Sequence, residues 1–75
     1  MIVYHSTGIK NANKIKKNGV IKPYTYFSPD LKKSKYYGSM YGRYKTFAVT
    51  IDNDKDWIKQ EYYQNIVEIN NFKII

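Results

Sequence analysis

The apolar positions of this chain occur in short groups, and their spacing predicts brief strands and two helices. Met1–Tyr4 is an apolar run typical of a buried strand. Between Gly8 and Asn18, apolar residues recur at helical spacing with lysines between them. This spacing predicts a first helix, which we expect to end at Gly19 in the left-handed conformation. Val20-Ile21 then predicts a second short strand.

A second helix is predicted near the middle of the chain. The segment Tyr24–Phe27 is rich in residues that favour strands, and it leads directly into a helix start. Ser28 is the expected N-cap, followed by a proline and an aspartate, which are both favoured in the first turn. We therefore expect a helix over Pro29–Tyr37 that stops at Gly38.

The last third of the sequence predicts three further elements. In Tyr44–Asp52, apolar and polar side chains alternate, which indicates a strand with one buried face. A polar turn follows, in which Asp56 is expected to cap one helical turn, and Tyr62–Ile69 and Phe72–Ile75 are the last predicted strands. All 75 residues are thus expected to form one α+β domain, with two short helices among five or six short strands.

Charge and aromatic content narrow the class of partner. Thirteen Lys and Arg against six Asp and Glu give a net charge of +7, which favours an anionic partner such as nucleic acid, a nucleotide or an acidic protein surface. The nine tyrosines exceed what a core of this size needs, and tyrosine is enriched at binding surfaces. An AT-rich genome would also raise the lysine and tyrosine content, but it would not dictate where these residues fall.

Several classes of site are excluded by composition. The chain has no cysteine and one histidine, His5, which excludes disulfides, thiolate metal sites, cysteine nucleophiles and multi-histidine metal centres. The aspartates within 52–56 resemble a calcium loop, but Trp57 and Tyr63 stand where an EF-hand needs Gly and Glu. We find no membrane-length apolar run and no secretory apolar segment, so we expect a cytoplasmic protein without a membrane partner or a metal cofactor.

Two places in the sequence carry candidate binding chemistry. His5 ends the first predicted strand and is followed by the hydroxyl residues Ser6 and Thr7, and such strand ends commonly line ligand clefts. In the second predicted helix, Ser34 and Tyr37 are three residues apart and therefore lie on one face. A ring beside a hydroxyl can stack on a flat heterocycle and hydrogen-bond its amide. The simpler interpretation is that these are ordinary surface and core positions.

The order of Tyr-His-Ser-Thr, then Tyr-Phe-Ser, then Lys-Ser-Lys-Tyr-Tyr-Gly resembles the ADP-ribosyltransferase superfamily. The similarity is to its His–Tyr–Glu branch, which includes diphtheria-type toxins and poly(ADP-ribose) polymerases, and it covers the first two thirds of the chain. In that branch, a serine and a second tyrosine follow the strand tyrosine after eight and eleven residues. Counted from Tyr26, these offsets fall on Ser34 and Tyr37.

The resemblance implies a small split antiparallel β-sheet and NAD as the substrate. It implies that His5, with Ser6 beside it, anchors NAD. Tyr26 and Tyr37 would sandwich the nicotinamide ring, and Ser34 would bind its carboxamide.

The third element of the family pattern departs in this chain. The family places a catalytic glutamate at the start of a late strand, where it binds a ribose hydroxyl and stabilises positive charge at the anomeric carbon. Here Gln64 stands at that place, and it supplies no negative charge. Glu61 and Glu68 flank it, and a shift of register would make either one the catalytic carboxylate; Glu68 has the spacing that would place it on the same strand face as Gln64. The chain is also shorter than the usual transferase domain.

Two functions follow as hypotheses. The first is a minimal mono-ADP-ribosyltransferase that modifies a protein or nucleic acid, typical of a phage or mobile-element effector against host machinery. The second is a catalytically impaired module of the same fold that holds a nucleotide or inhibits a macromolecular partner. Candidate phosphate contacts are Arg43 and lysines 32, 33 and 35. A third hypothesis, an RNA 2′-phosphotransferase, would need several arginines, whereas this chain has only Arg43. A fourth is a protein that binds single-stranded nucleic acid without NAD chemistry, through tyrosines that lie between lysines.

Overall fold

Six strands form two three-stranded antiparallel sheets in the computed structural model, which describes all 75 residues. The first sheet has the strand order β1-β3-β6 and the second has the order β2-β5-β4, which confirms the predicted α+β class with two helices. In chain order the elements are β1 (Ile2–Gly8), α1 (Ile9–Asn18), β2 (Tyr26–Phe27), α2 (Leu31–Ser39), β3 (Tyr44–Thr50), a 3-10 turn (Asp54–Asp56), β4 (Trp57–Lys59), β5 (Tyr63–Asn65) and β6 (Lys73–Ile74).

The longest ladder joins β1 to β3, from Ile2 opposite Thr50 to Gly8 opposite Tyr44. The first strand is therefore longer than predicted, and His5 lies inside it rather than at its end. The apolar pattern stops at residue 4 because the second half of β1 carries polar side chains. Its backbone groups are nevertheless paired along β3, so the strand continues without an apolar face.

The first helix agrees with its prediction. Ala12 and Ile15 are buried, and Gly19 ends the helix with φ 72°, where its N–H donates to the carbonyl of Ile15. A left-handed residue at this position is favourable for glycine because it has no Cβ. Neither helix of the chain has the length and apolar content needed to cross a membrane.

The second helix begins and ends later than predicted. Asp30 is its N-cap, with the carboxylate accepting from the backbone N–H groups of Lys32 and Lys33. Ser28 is not the cap, because its backbone pairs with Tyr4 and its hydroxyl accepts from the N–H of Asp30. Serine and aspartate both cap helices well, so the sequence alone did not distinguish them.

Gly38 lies within α2 and does not stop it. A Cβ at this position would lie 2.5 Å from the Tyr44 ring and 2.7 Å from Cβ of Ser6. The glycine therefore allows the helix to approach β1 and β3 more closely than any other residue would, and it sets the distance between α2 and the first sheet.

The C-terminal third is more broken than predicted. Asn53, not Asp56, caps the 3-10 turn, and Trp57 already belongs to β4. The strand predicted over Tyr62–Ile69 is limited to β5, because the chain turns after Asn65. The fully buried side chain of Asn65 donates to the carbonyl oxygens of Lys22 at 2.9 Å and Val67 at 2.8 Å, and it accepts from the N–H of Thr25 at 3.0 Å.

The hydrophobic core draws on both sheets and on α1. Its nine buried apolar residues are Val3, Ala12, Ile15, Ile21, Phe27, Phe47, Val49, Trp57 and Ile69. Phe27 and Trp57 from the second sheet meet edge to face with their ring centres 5.1 Å apart. The two sheets join where Tyr4 and Ser28 exchange two backbone hydrogen bonds of 2.8 Å, and this junction brings β1 beside β2.

Candidate functional site

A cavity of about 900 Å³ opens where β1, β2 and α2 meet; we call it the tyrosine cavity. The five residues that the resemblance assigns to NAD all line it: His5, Ser6, Tyr26, Ser34 and Tyr37. They come from three elements and span 33 sequence positions, so only the fold brings them together. A cavity of this size is typical of small-molecule sites.

The imidazole of His5 is fixed by the backbone of β2. Its Nδ1 lies 2.8 Å from the carbonyl oxygen of Tyr26, and since a carbonyl only accepts, Nδ1 carries the proton. Burial lowers the pKa of His5 below its usual 6.5, and the hydrogen bond to Tyr26 opposes this only in part. The ring is therefore neutral at pH 7, and its Nε2 can accept a hydrogen bond from a ligand hydroxyl.

Three hydroxyl groups form a short chain, and two of them, those of Ser6 and Ser34, belong to residues that line the cavity. Ser6 Oγ lies 2.9 Å from Ser34 Oγ and 2.8 Å from Thr46 Oγ1, and both partners are buried. Each hydroxyl has one hydrogen to donate, so two bonds among three donors leave one hydrogen over. Ser34 is thus held in place by Ser6, and when Thr46 donates to Ser6 the hydrogen left over belongs to Ser6 or Ser34, which both line the cavity.

Tyr62, in the turn between β4 and β5, also lines the tyrosine cavity. Its ring centre is 6.4 Å from that of Tyr26 and 6.1 Å from that of Tyr37. Its hydroxyl lies 2.6 Å from the Tyr37 hydroxyl, and this hydrogen bond is the main reason that the pKa of Tyr37 is raised. Lys33 Nζ lies 5.2 Å from the centre of the Tyr62 ring, within cation–π range.

Sequence reasoning missed Tyr62, because the predicted strand over Tyr62–Ile69 gave it no special place. The one feature of the sequence that could have indicated it is the pair Tyr62-Tyr63. Neighbouring residues of an extended chain face opposite sides, so one of two adjacent tyrosines has to face away from the core. Tyr63 packs against the core, and Tyr62 faces the cavity. Three exposed residues on the cavity's rim were missed as well: Tyr24, Met40 and Tyr41.

None of the three candidates for the catalytic position lines the tyrosine cavity. Gln64 is directly opposite Tyr26 in the β2–β5 ladder, and residues so paired share a face of the sheet. Its Nε2 donates to the carbonyl of Tyr24 at 3.3 Å, so the side-chain amide is bound to the backbone of a cavity residue.

The two glutamates lie in different surroundings. Glu61 is exposed in the turn beside Tyr62, and its charge contributes to the raised pKa of Tyr37. Glu68 is exposed beyond the end of β5 at Asn65, so it shares no strand with Gln64 and the spacing argument for a common face does not hold. Of the two carboxylates, Glu61 is the one that lies next to a cavity residue, Tyr62.

Comparisons with known proteins add no functional information. No protein-family model matches the sequence, and no curated protein or solved structure is significantly similar to the chain. A function has to be argued from the groups around the cavity.

Proposed function

We propose that this domain binds NAD in the tyrosine cavity and transfers its ADP-ribose to a protein or nucleic acid. One observation carries the proposal. The five residues to which the family resemblance gives a role in NAD binding lie on a single cavity, although they are dispersed over three elements. The antiparallel sheets and two helices agree with the coarse fold that the resemblance implies.

The groups on the cavity match the parts of nicotinamide riboside. The rings of Tyr26 and Tyr37 provide aromatic surfaces for the nicotinamide, and the Tyr62 ring, whose centre is 6.4 Å and 6.1 Å from theirs, adds a third. When Thr46 donates to Ser6, the hydroxyl hydrogen left over on Ser6 or Ser34 would donate to the carboxamide oxygen. The neutral Nε2 of His5 would accept from a ribose hydroxyl.

The reaction breaks the bond between ribose C1′ and the nicotinamide nitrogen. The bonding electrons stay with nicotinamide, whose charged ring nitrogen becomes neutral, and the acceptor forms a new bond to C1′ and loses a proton to water. Positive charge grows on the anomeric carbon as nicotinamide leaves, so a nearby carboxylate would lower the barrier. Of the candidate residues, Glu61 is the carboxylate next to a cavity residue, Tyr62, whereas Gln64 adds no charge.

A second candidate function is a binding module that holds a nucleotide, or presses on a macromolecular partner, without cleaving NAD. It is favoured by one specific observation: no Asp or Glu side chain lines the tyrosine cavity. The net charge of +7 suits an anionic partner in either case.

The two functions are separated by one paired experiment. The protein is incubated with NAD labelled in its adenylate half and a cell lysate, and labelled macromolecules and free nicotinamide are measured. In parallel, NAD is titrated against the fluorescence of Trp57, which contacts the cavity residue Phe27. Label transfer with nicotinamide release supports the transferase, and binding without release supports the module. If NAD changes neither signal, the transferase and a module that holds NAD are both wrong, and only the module that binds a macromolecular partner is left.

A further inference from the structure

A second, smaller cavity of about 150 Å³ adjoins the tyrosine cavity; we call it the lysine cavity. The two cavities share His5, Asn11 and Thr25, so they are neighbouring compartments on either side of these side chains. Helix α1 contributes Lys14 to the lysine cavity, and the segment before β2 contributes Lys22. A ligand that passes His5 would extend from one compartment into the other.

The charge of the lysine cavity is positive and uncompensated. Lys14 and Lys22 are its only charged residues at pH 7, and no carboxylate lines either compartment. Neither lysine takes part in an ion pair, since the single ion pair of the chain joins Lys59 to Asp54. The first 29 residues contain five lysines and no acidic residue. An anion would therefore be attracted to this end of the double cavity.

The backbone that carries these lysines is held in place. The carbonyl of Lys22 accepts from the Asn65 side chain at 2.9 Å and from the Thr25 hydroxyl at 2.8 Å. Lys14 stands on the regular backbone of α1, one turn away from the shared residue Asn11. The two ammonium groups thus come from fixed points on two elements, and amide groups of Asn11 and Asn18 lie in the same lining.

We propose that the lysine cavity binds phosphate groups of a ligand whose planar end occupies the tyrosine cavity. The ligand class is then a nucleotide or dinucleotide, and not a nucleoside or free base. Lysine binds phosphate as a compact point charge, and asparagine amides supply further donors. The nature of the planar end rests on the proposed function, but the phosphate contact requires no turnover.

Titrations with matched ligands test this division of the site. NAD, ADP-ribose and nicotinamide riboside are compared by calorimetry with wild type, Lys14→Gln and Lys22→Gln, and with Lys10→Gln, an exposed α1 lysine outside both cavities, as the control. We expect each cavity variant to weaken NAD and ADP-ribose by about tenfold, the loss of one charged contact, and to leave nicotinamide riboside unchanged. A higher salt concentration should weaken the binding of the two phosphorylated ligands to the wild-type protein.

The outcomes distinguish this inference from the transferase proposal. Phosphate-dependent binding that needs Lys14 and Lys22, without NAD cleavage, supports the lysine cavity and removes the transferase. NAD cleavage that neither substitution changes supports the transferase and removes the lysine cavity as its phosphate site. The inference is overturned if Lys14→Gln, Lys22→Gln and the charge reversal Lys22→Glu leave NAD affinity at the wild-type value, if they weaken nicotinamide riboside equally, or if no phosphorylated ligand binds.

Discussion

Tyr37 of α2 and Tyr62 of the β4–β5 turn share a hydroxyl–hydroxyl hydrogen bond of 2.6 Å. This bond connects the helix that packs on the first sheet with a turn of the second sheet. Because the Tyr62 ring also meets that of Tyr26, side chains from three elements form one aromatic wall of the cavity. This aromatic wall is therefore assembled by tertiary structure, and a change at any of the three tyrosines should alter it.

Replacing Tyr37 with alanine should weaken the binding of NAD more than the binding of ADP-ribose. The substitution removes a stacking surface for nicotinamide, a group that ADP-ribose lacks, and loss of one aromatic stack costs roughly 1–3 kcal/mol. Calorimetric titration of both ligands measures the difference. Tyr36→Ala is the matched control, because Tyr36 is the exposed neighbour on the same helix and lies outside the cavity. Equal losses for the two ligands would mean that Tyr37 acts only in packing.

Replacing Gln64 with glutamate should raise the rate of NAD cleavage. If Gln64 stands at the family's catalytic position, a carboxylate there would stabilise the positive anomeric carbon in the transition state more than in the ground state. One such group is worth about 2–4 kcal/mol, or tens- to several-hundred-fold in rate. Nicotinamide release at saturating NAD measures it, with Gln64→Ala as the uncharged control.

Glu61→Gln provides the complementary measurement. If the wild-type protein already cleaves NAD rapidly and this variant loses the activity, Glu61 is the catalytic carboxylate and Gln64 is not at the catalytic position. If neither substitution changes the rate of a protein that binds NAD, the binding module is the better description.

Much of the secondary structure could be predicted, because it depends on local patterns. The alternation in β3 and the helical spacing in α1 both reflect which side chains face the core, and Phe47, Val49, Ala12 and Ile15 are indeed buried. The predictions were wrong where the extent of a strand depends on contacts with residues distant in the sequence. The second half of β1 has no apolar pattern and exists because β3 pairs with it, and the end of β5 is set by the buried side chain of Asn65, which binds groups up to 43 residues away.

In the candidate site, too, local spacing predicts some residues, whereas others are brought in only by tertiary structure. Ser34 and Tyr37 could be grouped from helical spacing alone, but Tyr62 reaches the cavity through a turn whose position depends on how β4 pairs with β5. The lysine cavity has no motif in the sequence. Lys14 and Lys22 line a common cavity with His5 only because the fold brings α1 and the segment before β2 together.

Replacing Gly38 with alanine should displace α2 from the first sheet. The added Cβ would lie 2.5 Å from the Tyr44 ring and 2.7 Å from Cβ of Ser6, distances at which the helix has to move. We expect a loss of roughly 1–3 kcal/mol in the free energy of unfolding, typical of overpacking, together with weaker NAD binding, because Ser34 and Tyr37 move with the helix. Urea denaturation and ligand titration measure the two effects.

Gly8→Ala is the control for that prediction, since a Cβ at position 8 would meet Tyr41 at an ordinary contact distance of 3.4 Å. It should be milder than Gly38→Ala in both measurements. A Gly38→Ala protein with wild-type stability and affinity would show that α2 is not held at a fixed distance.

Acidification should destabilise the domain through His5. Its pKa is lowered in the folded state, so between that value and the usual 6.5 the unfolded chain binds more protons than the folded one. The free energy of unfolding therefore falls as the pH falls through this window. Urea denaturation at about pH 7.5 and about pH 5 measures the change. His5→Asn, which keeps a donor for the Tyr26 carbonyl but does not titrate, should lose less stability than wild type; an identical loss would contradict the prediction.

Phe27 belongs both to the hydrophobic core and to the wall of the tyrosine cavity, where its ring lies 5.1 Å from Trp57 and 5.6 Å from His5. At Phe27, therefore, no layer of residues separates the interior from the cavity. In a larger protein, mutations can reshape a pocket while a separate core preserves the fold. In a chain of 75 residues with this arrangement, a substitution that alters ligand preference also alters stability, so new specificities at this site can evolve only along paths that keep the core intact.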